Sequence, residues 1–229
     1  MEAVFVVLYA LVAVFVGVTV FIKTLSWLPE MDRFTPFGSS RSAVVWGFLA
    51  FIVALTVEGA VLFFFWRTSK ALAFVVLAVL VGPIEEFSKL IPFIVRRNES
   101  LPNRLNLTLK TALTFGVIEG LLYFLALLAS GNFIGAFLRL VVIAFHVVWT
   151  SFALEKAVKG SLALGYLKAS AIHSLYDAPL LLYLGGAGLA VVPLALVGIA
   201  VLIYVYRSLD STFTSLENFA RVREVTALP

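Results

Sequence analysis

The sequence contains no cysteine, only two histidines and few charged residues. Without cysteine the chain cannot form disulfides, thiolate nucleophiles or cysteine-based zinc sites. Charged residues make up 13% of the 229 residues, whereas soluble domains usually carry about 25%. Hydrophobic residues make up 62%, and no polar stretch is long enough to fold separately. The composition therefore predicts one helical membrane domain over residues 1–229 and no soluble domain.

Seven apolar segments of about 20 residues are long enough to cross a bilayer as helices. They lie at residues 3–22, 43–66, 71–95, 108–128, 133–155, 162–184 and 187–206. A polar loop with Pro29, Asp32 and Pro36 separates the first two segments. The first segment lacks the positive n-region and the cleavage pattern of a signal peptide, so we expect it to be retained. The predicted fold is an all-α, polytopic transmembrane bundle of about seven helices.

The basic residues are distributed unequally between the two sides of this bundle. Only Arg67 and Lys70 fall in loops of one side. Twelve fall on the other side, namely Lys23, Arg33, Arg41, Arg96, Arg97, Arg104, Lys110, Lys156, Lys159, Arg207, Arg221 and Arg223. Cytoplasmic loops carry the excess of Lys and Arg, so we expect the N-terminus outside and the C-terminus in the cytoplasm. The net charge of +4 then reflects topology in a membrane, which we expect to be prokaryotic, and no binding of nucleic acid.

Several ionisable residues lie inside the predicted helices, where a charged group costs at least about 2.5 kcal/mol. They are Glu58, Glu85, Glu86, Lys89, Glu119, Arg139, His146, Lys168, His173 and Asp177. A helix rises about 1.5 Å per residue, which places Glu85, Glu119, His146 and His173 within about 5 Å of the membrane midplane. Four helices therefore contribute to one polar layer.

Residue spacing within the helices predicts local partners. Glu85 and Lys89 are four residues apart, on one helix face, in the orientation that favours an ion pair. His173 and Asp177 have the same spacing, and a carboxylate beside an imidazole fixes the tautomer of the ring. Pro83 removes a backbone hydrogen bond, so we expect a bend beside the acids.

Each of these residues also has a structural interpretation. We expect Glu58 to be a satisfied interior acid or a helix contact, and Arg139 and Lys168 to extend towards the helix ends. The Glu85 and Lys89 pair could be a structural salt bridge, and a single buried histidine could be a packing residue. Their joint occurrence at one depth favours a functional site.

The ordered motifs of the middle helices, about residues 71–184, resemble the PrsW family of intramembrane peptidases. They are Glu-Glu-x-x-Lys at residues 85–89, Phe-x-x-x-Glu at residues 115–119, the single His146, and His-x-x-x-Asp at residues 173–177. The sequence is also similar to the wider group of CAAX prenyl endopeptidases, whose second motif ends in His where this chain has Glu119. In that group the first motif ends in Arg one residue later, and the last motif more often ends in Asn. These departures favour the PrsW branch.

The resemblance implies an intramembrane endopeptidase that hydrolyses a membrane protein or peptide substrate. It implies that the catalytic residues are Glu85, Glu86, Glu119, His146, His173 and Asp177, supported by Lys89 and Phe115. Glu85 would then be the general base that activates water, and His173 would steady the oxyanion. Two histidines with several carboxylates also make a zinc site reasonable, its ligands drawn from Glu85, Glu119, His146 and His173. A metal-free glutamate peptidase is the other form of the mechanism.

Two functions of other classes remain open on the sequence. The chain could be a non-catalytic scaffold resembling the Aph subunit of gamma-secretase, in which buried His and Glu only hold helices together. It could also be a proton or ion transporter, because intramembrane carboxylates and histidines build relays. Against a transporter, the sequence has no internal repeat and no paired broken helices.

Overall fold

The computed structural model describes residues 2–34 and 39–225, and this part of the chain is helical without any strand. The helices are α1 (Glu2–Asp32), α2 (Ser39–Trp66), α3 (Lys70–Val95), α4 (Leu101–Ala129), α5 (Phe133–Val158), α6 (Leu162–Gly185) and α7 (Val191–Val225). A single 3₁₀ turn, Gly188–Ala190, precedes α7. The predicted all-α bundle of seven helices is confirmed.

Within the described residues, six helices are long and apolar enough to cross a membrane. The exception is α6, whose hydropathy is lowered by Lys168, His173 and Asp177. This helix packs against α3, α5 and α7, so much of its polar face is enclosed by protein. The chain is therefore an integral membrane protein, and the helix without a sufficiently apolar span packs against three of the others.

Three helix boundaries differ from the sequence prediction by seven residues or more. Helix α1 continues through Pro29 to Asp32, α4 begins at Leu101 instead of residue 108, and α7 extends to Val225. Pro36, from the predicted loop, lies outside the described residues. Hydropathy marks only the part of a helix inside the hydrocarbon core, about 30 Å thick. The 35 residues of α7 span about 52 Å, so hydropathy misses the end that projects beyond the bilayer.

A close approach between α3 and α6 depends on Gly82. A Cβ atom at this position would lie 2.1 Å from the carbonyl oxygen of Ser170. The next residue, Pro83, cannot donate to the carbonyl of Val79, which lies four residues earlier. The hydroxyl of Ser174 donates to that carbonyl instead, at 3.0 Å. Helix α6 therefore replaces the hydrogen bond that the proline removes from α3.

Helices α4 and α5 approach each other at Gly116. A Cβ atom here would lie 2.7 Å from Cδ2 of His146 and 2.8 Å from the carbonyl oxygen of Ile143. Small residues at such crossings let helix backbones come close. The glycine therefore allows the imidazole of His146 to lie directly against α4.

Candidate active site

A carboxylate oxygen and two imidazole nitrogens meet at the centre of the bundle. Oε2 of Glu85 lies 3.5 Å from Nδ1 of His146 and 3.7 Å from Nε2 of His173. All three side chains are buried, and their ligand atoms lie within 4.8 Å of one another. Helices α3, α5 and α6 each contribute one group, and these are three of the four residues of the predicted polar layer.

The second nitrogen of each imidazole faces another carboxylate. Nε2 of His146 lies 2.8 Å from Oε2 of Glu119, and Nδ1 of His173 lies 2.9 Å from Oε1 of Glu86. Histidines that bind metals usually have this arrangement, with one nitrogen on the ion and the other on a carboxylate or carbonyl. The donor set of Glu85, His146 and His173 therefore fits a divalent metal ion. Glu119, which we predicted as a further ligand, lies on the far side of His146.

Asp177 contacts His173 as its spacing predicts, but at the nitrogen that faces Glu85. Oδ2 of Asp177 lies 3.0 Å from Nε2 of His173. The nitrogen that points away from the centre is held by Glu86 instead. The carboxylate positioned to orient the His173 ring towards Glu85 is therefore Glu86, and Asp177 lies beside the central space.

Lys89 is fully buried and binds the two glutamates of its own helix. Nζ lies 2.6 Å from Glu86, 3.5 Å from Oε2 of Glu85 and 3.1 Å from Nδ1 of His146. The predicted pair with Glu85 is present, but Glu86 is the closer partner. The hydroxyl of Thr150 donates to the other oxygen of Glu86, at 3.0 Å. The carboxylate of Glu86 is thus held by Lys89, Thr150 and His173.

Arg139 belongs to the same network, and the prediction that it extends to the helix end is wrong. Its guanidinium donates to Oε1 of Glu119 at 2.8 Å and lies 4.0 Å from the ring centre of Tyr123. Glu119 is therefore held between Arg139 and His146. Sequence analysis missed this pair because the depth of Arg139 alone does not show which helix it faces.

Aromatic side chains enclose the ionisable groups. The buried ring of Phe115, a predicted supporting residue, lies 5.3 Å from the ring of His146 and 4.9 Å from Nζ of Lys89. Trp149 stacks on His173 with 4.1 Å between ring centres. Trp149 and Thr150 are three and four residues after His146, on one helix face. Helical spacing could therefore have identified both residues from the sequence.

A cavity of about 240 Å³ lies between α2, α3 and α4 and reaches the centre of the site. Glu85 and Glu119 line it together with Glu58 of α2. Oε1 of Glu58 is buried and has no hydrogen-bond partner among the described residues. Of the two expectations for Glu58, a satisfied interior acid or a helix contact, the first is not met at Oε1 within the described residues.

Comparison with known proteins gives one match. The model of a family described as PrsW family intramembrane metalloprotease matches residues 35–206, well over half of the chain. All the ionisable residues of the site fall inside this range. Neither the curated proteins nor the solved structures provided a match.

Proposed function

We propose that this chain, which belongs to the PrsW family of intramembrane metalloproteases, hydrolyses a peptide bond of a membrane protein with water activated by Glu85. The observation that carries the proposal is the meeting of Glu85, His146 and His173, whose ligand atoms lie within 4.8 Å of one another. Membership of the family makes the chain a protease, which sets aside the scaffold and transporter interpretations.

Glu85, His146 and His173 would hold a zinc ion, because carboxylate oxygen and imidazole nitrogen both suit zinc. A zinc ion supplies Lewis acidity, which polarises a carbonyl and makes water more acidic. Glu119 fixes the orientation of the His146 ring at 2.8 Å, and Glu86 fixes that of the His173 ring at 2.9 Å. Each carboxylate contacts the ring nitrogen that faces away from Glu85. These three residues would give the number of protein ligands typical of catalytic zinc centres.

Glu85 is placed to act as the general base. It lines the cavity, so water that enters there meets its carboxylate. A carboxylate has two oxygens; Oε2 of Glu85 faces the histidines, and the other oxygen can accept a proton. As the water oxygen adds to the scissile carbonyl carbon, Glu85 takes the proton, and it returns the proton to the amine when the C–N bond breaks.

The remaining charged residues maintain this arrangement. Lys89 balances the charge of Glu86, and Arg139 balances Glu119. His173 presents Nε2 to the central space, either as a metal ligand or, in a metal-free reaction, as the group that steadies the oxyanion. Because the supporting contacts come from four helices, the reacting groups are held by the packing of the bundle.

The test is cleavage of single-pass membrane proteins by the purified protein in lipid nanodiscs, followed by mass spectrometry of the products. We expect Glu85→Gln, His146→Ala and His173→Ala each to reduce cleavage by at least about 100-fold, the usual contribution of acid–base chemistry. Glu217→Gln, on the distant part of α7, is the matched control and should cleave normally. Normal cleavage by Glu85→Gln would exclude the proposed mechanism.

A further inference from the structure

The cavity beside Glu85 is elongated and closed at one end. It follows α2 from Phe51 to Glu58 and α4 from Phe115 to Ala126, which at 1.5 Å per residue corresponds to about 10 and 16 Å. The rings of Phe51 and Phe115 meet edge to face at 5.8 Å and close one end. The cavity is therefore a groove between α2 and α4, and we call it the α2–α4 groove.

The α2–α4 groove opens sideways. Leu55, Leu122 and Tyr123 line its mouth and are 52%, 50% and 49% exposed. In a membrane-spanning bundle, apolar side chains exposed at this level face lipid. A segment of another membrane protein can therefore enter from the bilayer and reach Glu85. At about 3.3 Å per residue, the stretch of about 10 Å that both helices line is as long as roughly three residues of extended chain.

Glu58 is the one acid lining this groove that forms no ion pair with a basic residue of the described part of the chain. Lys89 pairs with Glu86, and Arg139 pairs with Glu119. Glu58 lies within electrostatic range of Glu85 and Glu119, yet its buried Oε1 has no partner within the described residues. An unpaired carboxyl in hydrocarbon is costly, so a group that donates a hydrogen bond or brings a positive charge would be bound favourably here.

We propose that the α2–α4 groove binds the substrate segment beside the scissile bond, and that Glu58 selects a segment carrying Lys or Arg. The proposal rests on the proteolytic function proposed above. A basic side chain fits because its alkyl stem packs against Ala54, Leu55 and Leu122, while its charged end meets Glu58. A buried polar group of this kind discriminates strongly, because a substrate that cannot pair with it leaves it unsatisfied.

The experiment measures binding separately from cleavage. In a Glu85→Gln background, a photo-crosslinking residue at position 122 captures polyleucine transmembrane peptides that carry one central Lys, Leu or Asp. We expect about tenfold more capture of the Lys peptide than of the Leu peptide. The ratio should fall to about one with Glu58→Gln, and Glu58→Lys should capture the Asp peptide best. Glu217→Gln is the control and should keep the original ratio.

The ratio of captured Lys peptide to captured Leu peptide tests the role of Glu58 directly. Equal capture of the Lys and Leu peptides with Glu58 present would overturn it, as would an unchanged ratio in Glu58→Gln. If Glu58→Gln fails to fold, Leu55→Trp supplies the second variant, since it should block the groove and reduce capture of the Lys peptide. Selective binding without any cleavage in the wild type would contradict only the proteolytic function. Cleavage without selective binding would contradict only the role of Glu58.

Discussion

At the scale of single residues, the site is a set of buried charges in which nearly every acid has a basic partner on another helix or one turn away. Arg139 and Glu119 join α5 to α4 at 2.8 Å, with side chains only 20% and 15% exposed. Removing one member of such a pair leaves the other charge buried and uncompensated, which is far more harmful than removing both. The pair is therefore a structural connection between helices and a support for His146.

We expect Arg139→Met to destabilise the protein by about 3 kcal/mol, because Glu119 loses its counter-charge in a mostly buried position. The double variant Arg139→Met/Glu119→Gln should recover much of that stability but not the cleavage activity, since His146 loses its carboxylate. Thermal unfolding and substrate cleavage, measured on the same preparations, distinguish the two effects. If Arg139→Met were as stable as the wild type, the Arg139 guanidinium would lie in the headgroup region and not in a buried pair with Glu119.

A second prediction at this scale concerns the metal. Elemental analysis of the purified protein should show near-stoichiometric zinc, and the double variant His146→Ala/His173→Ala should lose it. Zinc content should also decrease at low pH, because protons compete with the metal for the imidazoles and the carboxylate. A strong chelator should stop cleavage, and added zinc should restore it. Full activity of metal-free protein would favour the glutamate-peptidase form instead.

At the scale of the helices, the site depends on two close crossings that admit only glycine. On α4, Gly116 lets the ring of His146 lie against the backbone, and on α3, Gly82 lets α6 approach. Neither glycine carries chemistry, yet both determine how far the reacting groups are from each other. The geometry of the catalytic residues is therefore encoded partly in residues that have no side chain.

We expect Gly116→Ala to reduce both stability and cleavage. The added methyl would lie 2.7 Å from the His146 ring and 2.8 Å from a backbone carbonyl, and overpacking of this kind costs about 1–3 kcal/mol. Gly59→Ala is the matched control, because a Cβ atom there meets nothing within 4 Å. Cleavage rates and unfolding temperatures of the two variants should differ clearly; equal behaviour would contradict the close crossing.

The helices also show what the sequence could and could not predict. Apolar stretches of the sequence located all seven helices, although among the described residues only six are apolar enough for a membrane span. Depth along the helices brought Glu85, Glu119, His146 and His173 into one layer. Depth does not give the rotation of a helix about its axis. For that reason the sequence could not show that Arg139 faces Glu119, or that Glu86 holds the far nitrogen of His173. Both contacts depend on the angles at which neighbouring helices pack, and the sequence of one helix does not determine those angles.

At the scale of the whole molecule, topology follows from the distribution of basic residues. The short connection at residues 96–100 joins α3 to α4 and carries Arg96 and Arg97. By the positive-inside bias we expect this connection and the C-terminus to be cytoplasmic. Tags inserted at residue 99 and at the C-terminus should both be protected from reagents outside the cell, whereas a tag at Thr68 should be labelled. Labelling of the tags at residue 99 and at the C-terminus would show that the orientation is the opposite of the expected one.

The contact between Lys89 and Glu86 also has a consequence for biosynthesis. When α3 leaves the ribosome, the helices that carry His146 and His173 have not yet been translated. The segment must then enter the bilayer with two acids, and each uncompensated charge opposes insertion by about 2.5 kcal/mol. Lys89, one turn away on the same helix, supplies a counter-charge before any other helix is available. Lys89 can therefore pair with the acids of its own helix during insertion, before it supports the site. In glycosylation mapping, an isolated α3 segment with the lysine at position 89 should insert better than one in which the same lysine is moved to the opposite face of the helix.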